Sequence, residues 1–145
     1  MICKSLRFII HADPYYAQVA VLISPTRAMM ERFLPQLVSE KRARKWIRDL
    51  YDKRSGSTIG GFVGRSDTKP NSLVMYLGEM PLSVEGKEVL AHEIFHCVEM
   101  IMKRAGMPHH TKYSSEAYAY LIGSLTNQVN YYVHEYACRV LNAQD

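Results

Sequence analysis

The sequence has no apolar run approaching the ~18 residues that a membrane-crossing helix needs, so a membrane-spanning protein is not expected. Cysteine is scarce and scattered. Cys3, Cys97 and Cys138 stand far apart with no C-x-x-C pair, which argues against a thiolate metal site and against a disulfide framework. An odd number of isolated thiols fits a reducing compartment. The opening MICKSLRFIIHADPYY carries Lys4 and Arg7, but its apolar run ends at His11, too soon for a secretory leader. A cytoplasmic location is expected. Repeats, low-complexity stretches and linker-like segments are also missing, so a single domain over 1–145 is expected. Hydrophobic residues make up 48% and charged residues 22%, which places the chain among ordinary globular proteins rather than disordered ones. The net charge of +4 permits an acidic partner without demanding one.

The patterns that are present predict a mixed architecture. Residues 5–12 and 17–24 are apolar and β-prone, and Asp13-Pro14 between them predicts a hairpin. Over 26–54, apolar residues from Met29 to Leu50 recur at three- and four-residue steps. Pro35 should break or bend that helical stretch. STIGGFVGR (57–65) is a Gly-rich strand candidate, and SLVMYLGE (72–79) is the best strand in the middle of the chain. Residues 84–105 predict a helix closed by Gly106 and Pro108. The last helix is expected at about 115–141, with Ser114 or Ser115 as its N-cap. The expected class is α+β, with a small mixed sheet packed on these helices.

The segment LAHEIFHCVEM contains H-E-x-x-H at His92, Glu93 and His96. On a helix, residues four apart share a face, so the two imidazoles can grip one metal ion. Glu93 is turned by one residue and can reach a water on that metal. Zinc suits this set, because it takes imidazole nitrogen and keeps a position open in catalytic sites. Leu90, Ile94, Val98 and Ile101 form a core-facing stripe on the same helix. One Zn²⁺ ion is therefore expected.

Two histidines leave zinc short of protein ligands. No aspartate lies between Asp67 and Asp145, which disfavours a third ligand of that type. The pattern HExxHxxGxxH is excluded, because Glu99 and Met102 stand where it needs Gly and His. Glu116 is the best candidate: it opens the last helix, with nineteen residues between it and His96. It also lies almost opposite that helix's apolar stripe. Glu99 is the runner-up, or a group that orients an imidazole. Cys97 points away from the histidine face, and Cys138 is expected to be buried rather than reactive.

HEIFH followed at this distance by Glu116 resembles the gluzincin, thermolysin-like group of zinc metallopeptidases over residues 92–116. The wider pattern is similar to small HExxH proteins carried by phages and prophages. The resemblance implies a zincin-like fold, with His92, His96 and Glu116 as zinc ligands and Glu93 as general base. It also implies hydrolysis of a peptide or protein substrate, with Glu93 activating a zinc-bound water. Where these enzymes place an Asp four residues after the ligand Glu, this chain has Tyr120. SLVMYLGE resembles the edge strand on which zincins hold extended substrate, with pairing expected at residues 73–77. Tyr113, Tyr120, Tyr118, His109 and His110 are candidates for stabilising the oxyanion.

Two other readings stand beside this one. The chain can be a zinc-containing binding module without catalysis. It can also contact nucleic acid through EKRARKWIRDLYDKR (40–54), the less favoured partner, since a solvated helix face accounts for most such charge runs. Oligomeric state is not legible in the sequence.

Overall fold

The computed structural model describes residues 5–52, 59–107, 111 and 114–142. Strands β1 (Leu6–Ala12) and β2 (Ala17–Ile23) form the expected antiparallel hairpin. Strand β3 spans Gly61–Arg65 and β4 spans Ser72–Leu77. The four strands form one mixed sheet in the order β1-β2-β4-β3, with β2 and β4 parallel and the other pairs antiparallel. The helical region after β2 is divided near Pro35, as its ring requires. It comprises α1 (Arg27–Phe33), a 3₁₀ turn at Leu34–Gln36, and α2 (Glu40–Tyr51). Two long helices follow: α3 (Val84–Arg104) and α4 (Ser115–Asn142). The class is thus mixed α+β. Among the described residues, no helix is long and apolar enough to cross a membrane.

The sheet is covered on both faces, and strand alternation sorts the residues. Val19, Val21, Ile23, Leu73, Met75 and Leu77 point to one face, where α3 and α4 close over them. Helix α3 contributes Leu90, Ile94, Val98 and Ile101, and α4 contributes Tyr118, Leu121, Leu125, Val129 and Val133. Burying each such side chain is worth about 1.5–3 kcal/mol. This face therefore fixes the rotation of both helices about their axes. Leu22, Val74 and Tyr76 point to the other face and meet Met30, Leu34, Val38, Ala43 and Ile47. That second core seats the basic helix α2 with Ile47 inward, as its periodicity implied.

The two edges of the sheet differ. On β1, the side-chain amide of Gln128 from α4 accepts the N–H of His11 at 2.9 Å and donates to its carbonyl at 2.8 Å. That bidentate contact blocks strand addition at His11. On β3, Gly60 O accepts from Gly78 N–H at 2.8 Å and Ser66 N–H donates to Ser72 O at 2.9 Å. Antiparallel alternation then turns the N–H and C=O groups of Gly61, Val63 and Arg65 outward. Arg42 takes the Arg65 carbonyl at 2.6 Å. The outward groups of Gly61 and Val63 have no hydrogen-bond partner among the described residues. β3 is therefore an edge open at Gly61 and Val63 among the described residues, and the expected pairing at residues 73–77 is corrected. Strand β4 is interior, with its hydrogen bonds spent on β2 and β3.

Gly64 shows how tightly α2 is seated on this edge. A Cβ there would stand 2.4 Å from the Trp46 ring, which lies edge-on to Phe62 at 5.1 Å between centroids. Replacing Gly64 with Val is expected to destabilise the fold by about 1–3 kcal/mol, the usual range for overpacking. Chemical denaturation measures the loss, and the emission of Trp46, the sole tryptophan, should shift to the red as its ring is displaced.

Candidate metal centre

The helix that carries the motif is fixed at both ends. Ser83 Oγ accepts the Gly86 N–H at 2.9 Å and caps its start. At its end Gly106 adopts φ 72°, and Met107 N–H closes onto the Met102 carbonyl at 3.0 Å. Between these caps Leu90, Ile94, Val98 and Ile101 are buried in the sheet core as expected. That leaves His92 exposed and His96 half-buried on the adjoining face.

The two imidazoles are poised as a pair. Their Nε2 atoms face one another at 3.0 Å, and the rings are nearly perpendicular at 87°. Two nitrogens at 2.0–2.1 Å from a tetrahedral zinc are about 3.3 Å apart, so a small outward rotation of either ring admits the ion. Glu99 Oε2 lies 3.6 Å from His96 Nδ1, the ring nitrogen turned away from the pair. This places Glu99 where it can orient the imidazole, the role expected of it as an alternative to ligation.

Glu93 is the unusual residue. It is only 4% exposed, and its Oε2 has no hydrogen-bond partner among the described residues. The neighbouring strand explains the burial. A Cβ at Gly61 would lie 2.8 Å from Glu93 Cγ and 2.9 Å from Oε1, so a glycine is needed for β3 to pass over this carboxylate. Burial raises the Glu93 pKa, and the nearby His92 and His96 partly oppose the rise. Cys97 is fully buried, and its thiol is pushed up by burial and by the charge of Glu93, which makes it inert. Cys138 is half-buried rather than buried, with Sγ 3.5 Å from His134 Nε2.

The third ligand is less defined. Glu116 is exposed in the first turn of α4. Among the described residues, no three His, Cys, Asp or Glu side chains are grouped so as to hold a metal. The first turn of α4 nevertheless runs beside α3. Tyr118 is buried in the shared core, and its phenol pKa is raised by burial and by the charge of Glu99. Just before α4, Ser114 Oγ is bonded to Thr111 Oγ1 at 2.8 Å. Tyr113, His109 and His110 lie outside the described residues. Tyr120 is 65% exposed and borders a shallow surface with Gly123 and Asn127, without a residue of α3.

Of these residues, sequence spacing found the histidine pair and Glu93. It missed Gly61, whose signal was the Gly-Gly pair opening GFVGR. A mixed α+β chain with a paired-imidazole helix over a buried glutamate is what the fold and site define. No family model matches the chain, and neither a curated protein nor a solved structure matches it.

Glu93 also sets a stability prediction. Its folded pKa is raised, so folding favours the neutral acid. That stabilisation is fully present below the ordinary Glu value of ~4.3 and is lost as pH rises through the folded pKa. Metal-free Glu93→Gln should therefore melt a few degrees above the parent at pH 8, from relief of about 1–2 kcal/mol of burial cost. The gap should close in acid. Equal melting temperatures at pH 8 would show a well-solvated carboxylate.

Proposed function

We propose that the chain is a zinc-dependent peptidase of gluzincin type, with α3 as its active-site helix. The observation that carries this reading is the facing Nε2 pair of His92 and His96 beside the buried, unpartnered Glu93 carboxylate. A purely structural metal site has no use for such a base, which weighs against the reading as a zinc-containing binding module. His92 and His96 would hold the ion, and Glu116 is proposed as the third ligand. When bound, zinc supplies a Lewis acid for the substrate carbonyl and lowers the pKa of water towards ~7. Glu93 would accept a proton from the attacking water and return it to the departing amine. Glu99 keeps the His96 ring turned outward. The outward N–H and C=O groups of Gly61 and Val63 pair with an extended substrate, so a peptide lies along β3 close to Glu93. The zincin-like fold assignment and the cytoplasmic location belong to this proposal.

Metal analysis and an unfolded-protein cleavage assay test it together. The parent chain should carry one zinc and cleave, and a chelator should stop cleavage. Glu93→Gln should keep zinc yet lose activity about 10²–10⁴-fold, the usual range for a general base. His92→Ala and His96→Ala should lose both. Zinc retained by His96→Ala, or full activity in Glu93→Gln, would contradict the assignment.

A further inference from the structure

A cavity of about 1000 Å³ lies on the far side of β3 from Glu93, between that strand and α2. Six cationic side chains border it: Lys41, Arg42, Arg44, Lys45, Arg48 and Arg65. Glu40 and Asp67 are its acids, and both are engaged. Glu40 pairs with Arg44, while Asp67 accepts the Ser39 N–H at 2.7 Å and lies 3.5 Å from Arg42. Lys41 and Arg48 have no acidic partner among the described residues. The groove therefore keeps a surplus of positive charge over a floor of Trp46 and Phe62.

The sheet connects this groove to the proposed reaction site. Along β3, Gly61 and Val63 face α3, whereas Phe62 and Gly64 face α2. A peptide paired to the outer edge of β3 continues the same pleat. Its side chains point alternately to the His92–Glu93 side and to the cationic groove. We propose that the α2–β3 groove is a specificity subsite that selects acidic side chains at alternate positions of an extended peptide. This rests on the peptidase reading. A peptide is favoured over nucleic acid because Val63, whose outward N–H and C=O groups have no partner among the described residues, borders the same groove and Gly61 adjoins it along β3. Those groups match a peptide main chain, and phosphates do not supply that ladder.

Trp46 is the sole tryptophan and sits in the groove, so its fluorescence reports occupancy. Zinc-loaded Glu93→Gln protein would be titrated with short peptides of alternating Glu and Thr, Gln and Thr, or Lys and Thr, and with single-stranded DNA. The Glu peptide should bind about tenfold tighter than the Gln peptide at low salt, and the preference should shrink as salt is added. Adding Lys41→Gln and Arg48→Gln together should remove the preference. Both positions are exposed, and an unchanged melting temperature would confirm that the fold is intact. Equal binding of the Glu and Gln peptides overturns the proposal, as does tighter binding of DNA than of the Glu peptide. Cleavage by the parent zinc protein separates the two ideas. Cleavage of both peptides at equal kcat/KM removes the subsite and leaves the peptidase. A binding preference for Glu without any cleavage leaves the acidic-peptide groove and removes the peptidase.

Discussion

One turn of α3, from His92 to His96, must hold two imidazoles outward while Glu93 turns into a closed space beneath β3. The rotation of the helix is not free. Leu90, Ile94, Val98 and Ile101 are locked into the sheet core, and turning the helix would expose them. Each such side chain is worth about 1.5–3 kcal/mol in burial, and the four together outweigh the cost of one unpartnered carboxylate. The apolar stripe therefore forces Glu93 into its position, and Gly61 makes that position sterically possible.

The sheet acts as a partition between two cores. Its β1 edge is occupied at His11 by Gln128, and its interior strands have no hydrogen bonds to spare. At β3 the edge is open at Gly61 and Val63 among the described residues. There the strand separates the proposed chemistry, on the α3 side, from the positive charge on the α2 side. A substrate paired to this edge would meet both.

Much of this was legible in the sequence. Helical periodicity located α3 and α4, and Pro35 marked the division between α1 and α2. The spacing of His92 and His96 predicted a shared face, and their Nε2 atoms do face one another. Strand order was not legible. SLVMYLGE was assigned to the edge because it precedes the motif helix. Its continuous apolar character instead suits β4, which is buried between two neighbours. The Gly-rich β3 was a strand candidate, but the reason for its glycines was hidden, because they answer to distant side chains, Glu93 and Trp46, that no local pattern reveals. Whether Glu116 reaches the histidines depends on the path between α3 and α4, for which helical spacing carries no information.

The central claim is that three side chains from α3 and α4 meet at one divalent cation. A crystal of the zinc-loaded chain, with anomalous scattering measured at the zinc edge, tests it most directly. The account predicts a single strong peak about 2.0–2.1 Å from Nε2 of both His92 and His96, with the Glu116 carboxylate completing the protein ligands. A map with no peak between the imidazoles, or a peak there from which Glu116 is turned away and no other protein group takes its place, would contradict it.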